Sequence, residues 1–233
     1  MKAVFVGGTD TGVGKTLVAG LLANHLQKAG LRVVTQKWVQ TGKAGGADDV
    51  RAHLRLMGRE SGAFRSWARD QVPYSFQFPA SPLLASRLEG RGVSPAVIRG
   101  AFRRLAKNFD VVVVEGVGGL LVPCAPGCLQ TRLVRELGLP VLLVAGNRLG
   151  AINQTLLSLE ALASRRIRSL GVVFNCIDSR LHPAIARDNP RMVESFSGKK
   201  VLGVLPWTRN RGTLARRFAP VGNAVMAGLG LAR

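Results

Sequence analysis

A mostly parallel β-sheet flanked by helices on both faces is the architecture this sequence predicts, and three features predict it. Runs such as residues 111–114 and 141–145 are short, β-branched and apolar at every position, as strands buried on both faces must be. Stretches with apolar residues at helical spacing alternate with these runs along the chain. The first apolar run leads through a glycine-rich loop directly into a helix, the strand–loop–helix order of parallel α/β units. No internal repeat or linker interrupts the 233 residues, so we read 1–233 as one domain.

Residues 3–6 form the first strand and residues 7–14 the loop. Residues 16–29 carry the first helix, and Gly30 stops it. A second strand follows at 31–36, then a glycine-rich loop at 37–47. A helix begins at Asp48, with acidic residues in the first turn where the helix dipole favours them. Residues 58–92, with Pro73, Pro79 and Pro82, are the least regular stretch. Ser94 and Pro95 make an N-cap and first-turn pair for a helix reaching Asn108. Residues 110–115 are a buried strand ending in Glu115, followed by Gly116, Gly118 and Gly119. Strands at 139–145, 169–175 and 200–205 and a helix at 151–164 complete the pattern. The chain beyond Trp207 carries no clear signal.

The composition, 47% hydrophobic, supports a packed core. No secretory signal and no apolar run approaching ~18 residues is present, so a membrane span is not expected. Cys124, Cys128 and Cys176 fit neither a disulfide framework nor a zinc spacing; reduced thiols in a cytoplasmic protein are the expectation. Lys and Arg number 33 against 13 acids, a net charge of +20. The basic residues are scattered apart from clusters at 165–168 and 209–217, with little aromatic interleaving. We read them as an arginine bias on a solvated face rather than a nucleic-acid surface.

The chemistry concentrates in Gly7-Gly8-Thr9-Asp10-Thr11-Gly12-Val13-Gly14-Lys15-Thr16. Glycines let backbone N–H groups turn toward phosphate oxygens, and the helix behind adds the positive end of its dipole. Lys15 reaches the β- and γ-phosphates, and the Thr16 hydroxyl suits Mg²⁺. This is a P-loop, and with it the P-loop NTPase fold is expected. The common spacing places glycine at position 9, where Thr stands here, so the loop is a variant. Glu115 ends a strand at the carboxyl edge of the sheet, where ligands bind in such folds, and suits the metal side. Asp48 or Asp49 completes the oxygen shell. Lys37, just past the second strand, points a compact charge at the same edge.

At these residues the chain resembles the dethiobiotin synthetases. The resemblance rests on the P-loop form, on Lys37-Trp38-Val39-Gln40-Thr41-Gly42, and on Pro79-Ala80-Ser81-Pro82 with Glu89-Gly90. Glu115-Gly116-Val117-Gly118-Gly119, Leu149-Gly150-Ala151-Ile152-Asn153, the strand ending in Asn175, and Gly203-Val204-Leu205-Pro206-Trp207 add to it. It implies 7,8-diaminononanoate, CO₂ and ATP as substrates, and a ureido ring closed through a carbamic–phosphoric anhydride. It implies Lys37, Lys15 and Thr11 as the catalytic set. Mg²⁺ falls to Thr16, Asp49 and Glu115, with Asp49 preferred over Asp48 because Val50 follows it. The nucleotide falls to Gly12, Val13, Gly14, Lys15, Thr16, Leu17, Asp49, Glu115, Gly116, Val117 and Gly118, and its base end to Asn175, Cys176, Val204, Leu205 and Pro206. The diamine falls to Thr41 and Ser81, and, across the interface of a homodimer, to Gly150 and Asn153.

Two residues depart from the family's pattern: Trp38 stands for proline after Lys37, and Val117 for alanine between glycines. His25, His53 and His182 have no motif around them and are read as solvated or packing residues. The alternative is a related ATPase that partitions DNA or positions division proteins. The basic charge favours it, and Asp10 opposes it, because those ATPases carry an extra lysine early in the loop.

Overall fold

A computed structural model describes residues 2–42, 48–60 and 62–231. Along the chain β1 (Lys2–Gly8) leads to α1 (Lys15–Lys28), then β2 (Val33–Lys37), β3 (Val39–Thr41) and α2 (Asp48–Leu56). A 3-10 turn at Arg65–Trp67 precedes α3 (Ala68–Gln71), β4 (Tyr74–Phe76), α4 (Pro82–Leu88) and α5 (Pro95–Asn108). Next come β5 (Val111–Glu115), β6 (Pro123–Ala125), β7 (Cys128–Leu129) and α6 (Gln130–Glu136). The chain closes with β8 (Val141–Asn147), α7 (Ala151–Ser164), β9 (Ser169–Cys176), α8 (Pro183–Ser197), β10 (Val201–Leu205) and α9 (Arg211–Gly228).

Six strands form the main sheet in the order β10-β9-β8-β1-β5-β2, and every pairing is parallel. Alternate residues of each strand face opposite sides, which explains the uniformly apolar runs. Val4, Val6, Val111, Val113, Leu142 and Val144 meet Leu22 and Leu26 of α1, Val50 and Leu54 of α2, and Phe218 and Val221 of α9. Phe5, Val112, Val114 and Leu143 meet Ile98 and Phe102 of α5, Leu133 of α6, Leu162 of α7 and Val193 of α8.

Bounds of the expected strands differ from the sequence reading by two residues at most, and Gly30 sits at φ 86 just past α1. Other departures are larger: β6, β7, α6 and α8 were not expected. The expected 37–47 loop contains β3, which pairs in parallel with β4; its residues 43–47 lie outside those described. The irregular 58–92 stretch holds α3, β4 and α4. The signal-poor end holds the 18-residue α9. Its stripe of Leu214, Phe218, Val221 and Val225 has helical spacing, but Gly212, Pro220 and Gly222 interrupt it and hide it from a propensity reading. Pro190 does the same inside α8. Among the described residues no helix is long and apolar enough to cross a membrane.

Candidate functional site

The P-loop leaves β1 beside the ends of β5 and β8 and enters α1 at Lys15. Gly14 caps that helix in the left-handed region, at φ 98. A Cβ there would lie 2.2 Å from Asn175 Nδ2, so the position excludes other residues on both backbone and steric grounds. Asn175, at the end of β9, donates to the Val13 carbonyl at 3.1 Å and braces the loop. Lys15 folds back over the loop and donates to the Asp10 carbonyl at 2.8 Å. Burial, and then the charge of Lys37, push its pKa down to about 8. The Asp10 carboxylate pairs with Arg148 at 2.9 Å.

Lys37 and Glu115 are register partners at the carboxyl ends of β2 and β5. Lys37 Nζ donates to Glu115 Oε1 at 2.7 Å and to the Gly116 carbonyl at 2.9 Å, and it lies 2.8 Å from Asp49 Oδ2. Three acceptors thus match the three protons of a buried ammonium. Thr16 Oγ1 lies 2.9 Å from Glu115 Oε1 and 3.4 Å from Asp49 Oδ1. Asp48, the other acid of the pair, lies 3.5 Å from Arg51. Burial works against ionisation of both Glu115 and Lys37. The mutual attraction of the cluster outweighs it: Lys37, with His53, holds Glu115 down at about 2, and Glu115 and Asp49 raise Lys37.

A cavity of about 660 Å³ opens over this cluster. Thr11, Gly12, Gly14, Lys15, Thr16, Lys37, Asp49, Glu115, Val117 and Gly118 line it. Val39, Thr41, Pro79, Ser81 and Val122 also belong to its lining. Ser81 also caps α4. The Glu89 carboxylate accepts from the backbone N–H groups of Gln77 and Phe78, which anchors this proline-rich wall. Asn175, Cys176, Val204, Leu205 and Pro206 sit at the ends of β9 and β10, two and three strands from β1, and do not line the cavity. Gly150 and Asn153 are exposed at the start of α7, also away from it, and Leu17 belongs to the body of α1.

Several contributors have no motif of their own. His53 is fully buried, and its Nε2 lies 2.8 Å from Glu115 Oε2, which corrects the reading of this residue as mere packing or solvated surface. The available signal was its spacing of four from Asp49, which puts both on one face of α2. Gln130 donates from Nε2 to the carbonyls of Val117 and Gly119 and accepts from Val117 N at 3.1 Å, pinning the glycine segment after β5. Trp38 is buried with its ring 5.2 Å from that of Phe5 and donates to Gln36 Oε1. Fixed in this way, a tryptophan after Lys37 restrains the backbone by packing. His25 contacts Asn223 and His182 caps α8, so these two histidines are structural.

Thr16, Asp49 and Glu115 converge as hard oxygen donors of net negative charge, the chemistry that divalent magnesium selects. Among the described residues no group of three or more His, Cys, Asp or Glu could hold a metal alone.

Residues 2–212 match the AAA domain family. The ATP-dependent dethiobiotin synthetase of Chlorobaculum tepidum is 46% identical over 174 residues, 75% of this chain and 72% of that protein. The one from Anaeromyxobacter dehalogenans strain 2CP-C is 38% identical over 227 residues, 97% of this chain and 98% of that protein. Among solved structures, the cell division ATPase MinD of Pyrococcus furiosus superposes with a TM-score of 0.61 at 16% identity, covering 97% of this chain and 98% of that one. The pNOB8 ParA bound to nonspecific DNA gives 0.60 at 15% identity, covering 100% and 99%. At such identities the likeness is one of fold.

Proposed function

The chain belongs to the ATP-dependent dethiobiotin synthetase family, and from that premise we infer that its cleft carboxylates 7,8-diaminononanoate and closes the ureido ring at the expense of ATP. The observation that carries this reading is the cluster of Lys37, Asp49, Glu115 and Thr16 set against the P-loop lysine in one cavity.

CO₂ adds to one amine with loss of a proton, giving a carbamate. A carbamate oxygen attacks the γ-phosphorus and ADP leaves, forming a carbamic–phosphoric anhydride. The second amine attacks the carbonyl carbon, expels phosphate and closes the five-membered ring. Transfer of this kind needs alignment and charge neutralisation more than a protein nucleophile. Lys15 and Lys37 supply two ammonium groups, and Thr11, Val117 and Gly118 line the same cavity. Backbone N–H groups of Gly12, Val13 and Gly14 cradle the phosphates, with Gly116 and Leu17 beside them. Thr16, Asp49 and Glu115 would hold Mg²⁺, which would supply charge neutralisation at the phosphates. Thr41 and Ser81 offer hydroxyls to the diamine, and Val39 and Val122 border its alkyl chain. Asn175, Cys176, Val204, Leu205 and Pro206 receive the base.

The position of Gly150 and Asn153 outside the cavity supports a homodimer in which they serve the partner's cleft. Asn153 lies between Leu149 and Leu157 at spacings of four, and these leucines are 79% and 56% exposed. The three free thiols suit a cytoplasmic enzyme.

Incubation with Mg-ATP, bicarbonate and 7,8-diaminononanoate is expected to yield dethiobiotin by mass spectrometry, with phosphate release only when the diamine is present. Intact ATP binding without diamine-dependent turnover would refute the reading.

A further inference from the structure

We propose that His53 is a positioning residue for the metal-side carboxylate: its Nε2–H holds Glu115 Oε2 so that Oε1 stays aimed at the cation site. The inference rests on the magnesium reading of the cleft.

Glu115 is buried at the end of β5, and its two oxygens have different partners. Oε1 faces Lys37 and Thr16, at 2.7 and 2.9 Å. Among the described residues Oε2 has His53 alone, at 2.8 Å. A carboxylate oxygen only accepts, so the ring must donate from Nε2, and it does so whether or not Nδ1 also carries a proton. Nothing intrinsic fixes the carboxylate plane, because the terminal torsion of glutamate is broad and two-fold. His53 on Oε2 therefore sets that plane together with Lys37 and Thr16 on Oε1, and it is the one of the three that does not compete with a cation for Oε1. At a glutamate only 1% exposed, the same bond satisfies an oxygen that would otherwise be a buried, unpaired part of a charge.

The placement of His53 is itself determined. α2 crosses α1 where Gly20 leaves no side chain; a Cβ there would lie 2.4 Å from Leu56 Cδ1 and 3.2 Å from the His53 Cα. The close crossing carries the ring under the sheet edge. Asp49 and His53 are four residues apart on α2, so one rigid helix supplies one acid of the cluster and the donor that orients the other. Among the described residues Nδ1 has no hydrogen-bond partner, so the polar contact of this buried ring is the one from Nε2 to Glu115.

Calorimetric titration of a nonhydrolysable ATP analogue, with and without Mg²⁺, isolates the magnesium-dependent gain in affinity without any turnover. His53→Leu keeps the bulk and loses the donor. His53→Gln keeps an N–H of similar reach, and His53→Asn carries the same amide too short to arrive. The gain is expected to fall about ten-fold in Leu and Asn and to stay within about three-fold of wild type in Gln, with metal-free affinity unchanged throughout. Should Leu fail to fold, the Asn and Gln pair decides. An unchanged gain in Leu or Asn, or an equal loss in Gln, would overturn the proposal. Wild-type protein with no magnesium-dependent gain would remove the magnesium reading and this inference together. Absence of dethiobiotin synthesis leaves the titration intact, so the two failures are distinguishable.

Discussion

Lys37 contributes at two levels that one substitution separates. It is a buried cation shared by two carboxylates, and in the proposed reaction it neutralises charge on the transferred phosphoryl group. Lys37→Ala is expected to lower diamine-dependent turnover by about two orders of magnitude while ATP affinity changes only a few-fold, the pattern of an interaction made mainly in the transition state. The same change strands Glu115, and without magnesium the protein should lose about 3 kcal/mol of stability in urea. Steady-state kinetics and denaturation curves read the two effects, and unchanged turnover would remove Lys37 from the reaction. Lys15, Thr16 and Glu115 were legible in the sequence because glycines punctuate the strand ends beside them. His53 was not, since a lone histidine on an amphipathic helix carries the same local pattern whether it packs or holds a buried carboxylate.

Helix positions in this fold are set by glycines as much as by apolar stripes. Gly20 sits in the interior of α1, where alanine would favour the helix by about 0.5–1 kcal/mol in an exposed setting. At this site the added methyl meets α2, and overpacking of that kind costs about 1–3 kcal/mol. Gly20→Ala is expected to lower the urea midpoint, and also to weaken magnesium-dependent nucleotide binding through displacement of His53 and Asp49. A gain in stability would show that α2 yields at no cost. Elements with uninterrupted patterns, β1, β5, β8 and α7, were legible because burial on both faces or one face dictates every position. The wall formed by 58–92 was not, since its short elements are held by contacts such as Glu89 to the Gln77 and Phe78 backbone, which no local period reveals.

For the molecule as a whole, charge and shape give different information. Many of the 13 acids are committed to ion pairs, among them Asp70 with Arg104, Asp110 with Arg32, and Glu136 with Arg99 and Arg132. The arginine excess is therefore uncompensated, and beyond Glu194 the sequence contains no acid. Such a surface repels its own copies at low salt. Exposed leucines just before and on α7, Leu149 and Leu157, favour association instead, and the two oppose each other in the proposed dimer. Light scattering is expected to show a dimer at moderate salt and a monomer for Leu149→Asp combined with Leu157→Asp. A double variant that remains dimeric would place the interface elsewhere.

The ammonium lodged between Asp49 and Glu115 gives the resting cleft a property of its own. Two lysines, Lys15 and Lys37, and two carboxylates balance to zero, so the cleft without nucleotide is electrically self-contained. Lys37 cannot swing toward a phosphate without leaving bare charge on a buried glutamate, unless another positive charge takes up the vacated place. Its departure is thus an exchange of cations. In the proposed reaction the arrangement is an interlock: Lys37 is freed from its two carboxylates only when a cation arriving with the nucleotide takes its place.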